Sequence, residues 1–544
     1  MCKTRGAVFR FMMKVLPFAM LFPIITGFDN LPAGDPAAVR QATAGPAPQS
    51  APVGTGEAAP TSVTRQLDTA REPPLFALAG PNVEKGAADP APLRVLSWET
   101  GAGKSYLVPA LEVPGFLVLL NVYDRLAYPN QTEDGKRVYS STFSSTWDHL
   151  RKQHWVFDQD PFDINQFAHP YQGATMYGLA RSSGLNFWES AAYSNVGSFL
   201  WKMAGETDPP SINDQITTGS AGSLLGEALF RMSQLVLKDN GASRPDSMHE
   251  IGAAIISPPT AFNRYAFGKR FKPLFPSQDP ALAWRFQVGS NFNTISQSSA
   301  NLSFAMSYGL PGKPGYSYRR PMDYFDFQIS GQVDKKNPVN DVLLRGMLYG
   351  RPYHAGDDYR GIWGLYGSYD YLSQTVFRVS TTALSLGSTG QYWVAPGVAL
   401  QGTVMGGVGF GAAGTTPASS GDRDYHYGPS PQALIALRLL FSDRVALDLN
   451  ARGYYVAGSG RFINTTNALD QQGGSETIFR VKSGFNVRVY RRHGVGLQYI
   501  ESLRNSQYGD QPKREQRDRT VSLVYTFGGS SHFGAVGWRD EGRK

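Results

Sequence analysis

The sequence holds one cysteine, Cys2, and it falls inside an expected export signal. The mature chain is therefore expected to lack thiols, which excludes a disulfide framework and a cysteine nucleophile. Cys2 precedes the apolar N-terminal run instead of following it, so it is not placed as a lipoprotein anchor. Charge is scarce too. Charged residues make up 18% of the 544, against about a quarter in ordinary soluble domains. The net charge of +8 has no dense Lys/Arg run behind it, which argues against nucleic acid as a partner. Past the N-terminus there is no clean apolar stretch of about twenty residues, so any membrane crossing is expected to be by a barrel. No two histidines stand at helical i, i+4 spacing, which removes a zinc helix. No metal or cofactor is expected.

What the chain does have is glycine (59 residues) and aromatic side chains (12%), a balance that suits a membrane barrel. Arg5, Arg10 and Lys14 precede an apolar run from Val15 to Ile25, the layout of a signal peptide over residues 1–27. Residues 28–95 are rich in Ala, Pro, Gly and Thr and cannot bury enough surface to fold, so a disordered linker is expected there. The segment Trp98-Glu-Thr-Gly-Ala-Gly-Lys-Ser105 imitates a phosphate-binding loop, but Trp98 stands where the pattern needs its first glycine.

A helical module is expected over 96–275. Tyr106 to Tyr128 is apolar yet carries Pro109, Glu112, Pro114 and Asp124, which reads as a buried or interfacial helix rather than a span. Further helices are expected at 142–154, 169–182, 186–204 and 214–238, with Ser211, Asn213 and Asp214 as cap signals for the last. Gly222 and Gly226 form a small-xxx-small pair that admits a close neighbour.

From about residue 283 the period changes to two. Val445, Leu447, Leu449, Ala451 and Tyr455 alternate with Asp448, Asn450 and Arg452. Phe479, Val481, Phe485, Val487 and Val489 alternate with Arg480, Lys482, Asn486 and Arg488. Phe325, Phe327 and Ile329 oppose Asp326, Gln328 and Ser330. Long alternating segments with aromatic ends predict an antiparallel transmembrane barrel of about twelve strands over 280–528. Tyr353, Tyr359, Trp363, Tyr366, Tyr369 and Tyr371 read as interfacial girdle residues, and 413–427 and 458–475 as outer loops. Val521, Leu523, Tyr525 and Phe527 share one face of the closing strand, and a tail over 529–544 follows it. The fold class is α+β multidomain: helical module, then barrel.

Chemistry is sought in the block from Trp155 to Lys238, where polar residues are densest. A histidine flanked by acids can act as a general base, so His169, Glu189 and Asp214 are the catalytic candidates. Asp163, Asn165, Gln172, Arg181, Glu206, Asn213 and Glu227 are the binding candidates. The plainer reading has these groups capping helices and pairing within a bundle, Glu227 with Arg231 one turn on. Asp158, Asp160, Asp163 and Asn165 have calcium-ligand chemistry but lack the central glycine and closing glutamate of a calcium loop. Ser182, Ser190 and Ser211 have no nucleophile-elbow context.

The runs Asp163-Ile-Asn-Gln-Phe-Ala-His-Pro-Tyr-Gln-Gly173, Ala180-Arg-Ser-Ser-Gly-Leu-Asn-Phe-Trp-Glu189, Gly205-Glu206, Pro210-Ser-Ile-Asn-Asp214 and Gly226-Glu227 resemble a bacterial family catalogued as domain of unknown function 3943. The resemblance covers about residues 130–240. It implies presumed outer-membrane proteins with a shared helical module, and no activity. The expected protein thus sits in the bacterial outer membrane with its N-terminal part in the periplasm. Its expected partners are outer-membrane lipid and a periplasmic protein. Its expected role is non-enzymatic, a gated or plugged pore or an assembly or docking factor. The alternative is an envelope lipid or glycan hydrolase centred on His169.

Overall fold

The computed structural model describes residues 103–529, 532–537 and 539. Within these bounds 130–131, 134–135, 153, 158–159, 239–246, 269–277, 294–298, 333–338, 375–376, 415–424, 459–472 and 509–511 are not described. The expected signal, the linker, Asp158 and most of the expected outer loops lie outside the described residues.

The helices are α1 (Leu107–Ala127), α2 (Phe143–Lys152), α3 (His169–Ser182) and α4 (Phe187–Ala204), then α5 (Ile212–Ile216), α6 (Gly222–Leu237), α7 (Ser247–Ile256) and α8 (Pro258–Ala266). Two π-helical turns, Ile164–Ala168 and Thr217–Ala221, lead into α3 and α6. Pro170 follows the π-helical turn directly, and the Gln166 carbonyl, four residues before it and without an N–H from proline to accept, accepts instead from the Tyr369 hydroxyl. Helix α4 opens on a reciprocal capping box between Asn186 and Glu189, which satisfies two orphan backbone donors. Helices α3 and α6 cross where glycine meets glycine. A Cβ on Gly222 would lie 2.7 Å from the Gly173 Cα, and one on Gly173 would lie 1.8 Å from the Thr218 carbonyl oxygen. No other residue fits that crossing.

Twelve antiparallel strands follow: β1 (Leu282–Asn293), β2 (Ser299–Tyr308), β3 (Phe325–Gln332), β4 (Val339–Ala355), β5 (Tyr359–Ser373) and β6 (Arg378–Ala395), then β7 (Val398–Gly414), β8 (Tyr425–Phe441), β9 (Val445–Gly458), β10 (Gly474–Tyr490), β11 (His493–Tyr508) and β12 (Arg514–Gly528). Each pairs with the next, and β12 pairs back onto β1 from Thr520↔Asn293 to Gly528↔Arg285. The barrel is closed and leaves no edge strand. An even strand count puts the start of β1 and the end of β12 at the same mouth, the terminal end. Tight turns with left-handed residues at Ser442, Asp443 and Arg491 lie at this end. The other mouth is the loop end.

Alternation sorts the wall into two faces, as the pattern of the sequence predicts. Leu384, Leu386, Val408, Leu497 and Leu523 point outward and are more than half exposed, the surface expected of a wall that meets lipid. The inward face is polar, and ion pairs cross the lumen. Arg480 of β10 bonds Asp341 of β4 at 3.1 Å, and Arg452 of β9 bonds Asp370 of β5 at 2.6 Å. Asp448 of β9 accepts from Arg285 at 2.9 Å and Arg438 at 2.7 Å. Toward the loop end the lumen fills with Leu372, Phe377, Val379, Tyr454, Val456 and Ile478, all buried. Toward the terminal end the chain after β12 turns back inside. There the Phe533 and Gly534 carbonyls accept from Arg438 and Gln401, while Val536 exchanges two hydrogen bonds with Gln391.

The described helices of the module lie outside the lumen. They pack on the outside of the wall, and one continuous apolar core joins them to the outward face. Near the loop end Phe157 stacks on Phe410 and Tyr427, and Phe162 packs on Tyr371 and Tyr425. At mid-height Leu224 of α6 lies over Gly367 of β5. Near the terminal end the Arg231 guanidinium sits over the Tyr308 ring, 5.4 Å from its centroid. The module therefore covers the wall from one rim to the other. This placement leaves the lumen to the barrel's own side chains and tail. It also corrects the girdle assignment. Trp363 is outward and exposed, but Tyr369 and Tyr371 lie under the module and Tyr366 faces the lumen. Of the two expectations for helix α1, the buried one does not hold, since only Pro109, Val113 and Leu117 are buried and most of its aliphatic surface is bare.

Candidate functional site

Three polar clusters are built into the module. The first gathers residues from α3, α4 and α5. The His169 Nε2 lies 3.3 Å from the Asp214 Oδ2, and the His169 Nδ1 lies 3.3 Å from the Gln172 Oε1. Lys202 bridges Asp214 at 2.5 Å and Glu206 at 2.7 Å. Asn213 donates to Asp214 at 2.8 Å, and the Trp201 indole N–H donates to Glu206 at 2.7 Å. His169, Lys202, Asn213 and Asp214 are all buried. Five of the residues singled out from the sequence thus meet here. Lys202, which neutralises both acids, was not among them, although its i, i+4 spacing to Glu206 was a readable signal.

The histidine–aspartate contact has the form of a base and its orienting acid. Both imidazole nitrogens are engaged, however, one by Asp214 and the other by Gln172. Glu189 does not join this group. It caps α4 from its first turn and pairs with Lys104 at 2.9 Å and Tyr106 at 2.6 Å. The three expected catalytic residues therefore split two to one, because a capping box holds Glu189 to the start of its own helix. Ser211, Asn213 and Asp214 do not cap α5 with their side chains. Asp214 and Asn213 point instead into the cluster, where burial demands a partner.

The second cluster ties α3 to α6 and α6 to the barrel. Glu227, fully buried, accepts from the Tyr177 hydroxyl at 2.8 Å, from the Arg181 Nε at 2.8 Å and from the Arg231 Nε at 2.7 Å. Arg231 continues to Asp323 at 3.1 Å and to the Pro321 carbonyl at 3.0 Å, in the connection between β2 and β3. The pairing of Glu227 with Arg231 read from spacing is present, and Arg181 is a second partner that spacing could not show. The third cluster is a docking contact. Asn165 donates to the Tyr425 and Tyr427 hydroxyls at 3.1 and 3.0 Å, and the Tyr369 hydroxyl donates to the Gln166 carbonyl at 2.5 Å. Asp163 directly precedes the π-helical turn that carries Asn165 and Gln166, and its side chain does not cap it. Among the described residues no group of three His, Cys, Asp or Glu side chains could hold a metal ion.

A second polar region lies in the lumen. A cavity of about 190 Å³ there is lined by Arg285, Arg345, Arg438, Arg452 and Lys482 with Asp326 and Asp448, and it reaches Arg492 and Phe533 at the terminal end.

Comparison with known proteins gives a domain match over part of the chain and a set of similar solved structures. Residues 154–259 match the profile of a domain of unknown function, DUF3943. A search of curated proteins finds no match. Among solved structures the chain is similar to the NanC porin (8% identity, 44% of this chain and 98% of that one, TM-score 0.24). It is similar also to the outer-membrane protein OmpT of Vibrio cholerae (9% identity, 46% and 99%, TM-score 0.20). A third is the translocator domain of the autotransporter NalP from Neisseria meningitidis (14% identity, 46% and 89%, TM-score 0.20). The barrel assignment stands on the strand pairing of this chain itself.

Proposed function

We propose that this chain, which carries the DUF3943 domain over 154–259, is a bacterial outer-membrane protein with a non-enzymatic role as a plugged pore, its helical module held against the lateral wall of the barrel. The observation that carries the reading is the state of the lumen. Its wall is lined with polar and charged groups, as a water-filled channel would be, yet side chains and the tail stand across the passage. Ion pairs cross its middle, apolar side chains fill the loop end, and the C-terminal tail occupies the terminal end. Four of the five connections at the terminal end are turns of two or three residues, the β2–β3 connection of sixteen being the exception, and those at the other end run from four to fifteen; this pattern fits an orientation with the termini in the periplasm. The engaged imidazole of His169, and the absence of Glu189 from its side, speak for a structural cluster over a hydrolytic one.

Planar-bilayer recording tests the plug. The full chain should be silent, and a variant that ends at residue 528 and also carries Arg452→Ser, Arg480→Ser, Tyr454→Ser and Ile478→Ser should conduct, with heat-modifiable migration showing that its barrel has formed. Steady conductance by the full chain, or silence from that folded variant, would overturn the reading.

A further inference from the structure

The charges around the lumen cavity do not balance. Seven Lys and Arg side chains line it, and only two acids, Asp326 and Asp448. Acids from outside the lining satisfy some of the excess: Asp370 holds Arg452, and Asp443 holds Arg488. Asp448 is shared between Arg285 and Arg438, and Asp326 is taken by Arg345. Lys482 has no partner within hydrogen-bond or ion-pair distance among the described residues. Arg285 and Arg480 act on it as like charges, while Asp341 and Asp448 attract it only from beyond contact distance. Two further donors end in the same space. The Arg285 Nε and the Arg345 Nη1 are both buried and make no hydrogen bond, and Arg345 as a whole is 8% exposed. Buried donors without acceptors are costly and uncommon, and an unpaired charge in a confined lumen is costlier. Three of them around one void mark a place where negative charge is missing.

We propose that this cavity is a binding site for a small oxyanion, a carboxylate or phosphate group, held by Lys482 with the Arg285 Nε and the Arg345 Nη1. Arginine offers planar N–H donors that match either group, and lysine a point charge. The site is in the middle of the lumen, and its lining continues to Arg492, His493 and Phe533 at the terminal end. A ligand arriving from that end passes the tail, so tail and ligand share one route. The site needs only the folded, closed barrel; it does not need the pore to open.

Calorimetric titration of the detergent-solubilised full chain at constant ionic strength is the test. The probes are inorganic phosphate, acetate and citrate, with chloride and a neutral sugar as controls. Saturable one-to-one binding of phosphate or of a carboxylate is expected, and whichever binds tighter identifies the group. Lys482→Met should weaken that binding at least tenfold, while Lys482→Arg should retain most of it. Heat-modifiable migration reports whether each variant folds, and Arg285→Gln replaces Lys482→Met if the latter does not. The proposal fails if no oxyanion gives a saturable signal above chloride, or if the folded variants bind as the parent does. Neither result depends on conductance, so this test and that of the plug fail separately.

Discussion

Glu227 shows how a residue that looks anomalous in the sequence becomes necessary in the structure. An acid in an apolar helix is costly unless paired, and here two guanidiniums and a phenol converge on it. Removing the carboxylate would take the Glu227 counter-charge from Arg181 in the core and leave Arg231 with Asp323 and the Pro321 carbonyl. Glu227→Ala is therefore expected to destabilise the module by about 3–5 kcal/mol, the usual cost of breaking a buried pair from one side. Limited proteolysis should then cut the module at lower protease concentration while the barrel keeps its heat-modifiable migration. Unchanged resistance would show that Glu227 carries no such network. The one-turn pairing with Arg231 could be read from spacing. The link to Arg181, 46 residues away, could not, because it exists only once α3 and α6 have crossed.

That crossing belongs to the scale of elements, and here the sequence was informative in a different way. Gly222 and Gly226 were visible as a pair that admits a neighbour, although not as a pair facing Gly173 and Tyr177. Gly222→Leu should force the two helices apart, since even a Cβ at that position would overlap the Gly173 backbone. A loss of several degrees in the melting of the helical signal is expected, followed by circular dichroism at a helix-sensitive wavelength; an unchanged melt would contradict the close contact. The same scale shows the limit of periodicity. Alternation assigned Phe325, Phe327 and Ile329 to one face correctly, but it cannot say what covers that face. Tyr369 and Tyr371 look like lipid-facing girdle residues in the sequence and are core residues in the fold. Likewise a polar block reveals that acids and a histidine need partners, and it does not reveal that a capping box withholds Glu189 from His169.

At the scale of the whole molecule, the two halves of the chain constrain each other's surroundings. The outer wall carries exposed aliphatic residues where it is free, and the module covers the remaining wall from rim to rim. If the free wall meets lipid, the module beside it occupies the same layer. Its own outer surface agrees. Helix α1 is 21 residues long with a mean hydropathy of 1.4 over its most apolar stretch, and Leu107, Leu111, Val118, Leu119 and Leu126 are all more than 60% exposed. Its polar groups turn inward instead, Glu112 accepting from Asn263 at 3.3 Å and Asn121 donating to the Gly205 carbonyl at 2.7 Å. A helix with this division would leave a large apolar patch in water, which soluble surfaces avoid, whereas lipid chains cover it without cost. The single cysteine lies at position 2, so a Cys2→Ser background permits one probe at a time. Val118→Cys should resist a membrane-impermeant maleimide in intact outer-membrane vesicles and react fully once the protein is unfolded in detergent. A cysteine replacing Asp357, in the exposed turn between β4 and β5, should label readily in vesicles opened to both faces. Equal labelling of the two positions in those opened vesicles would place α1 in water and remove the module from the bilayer.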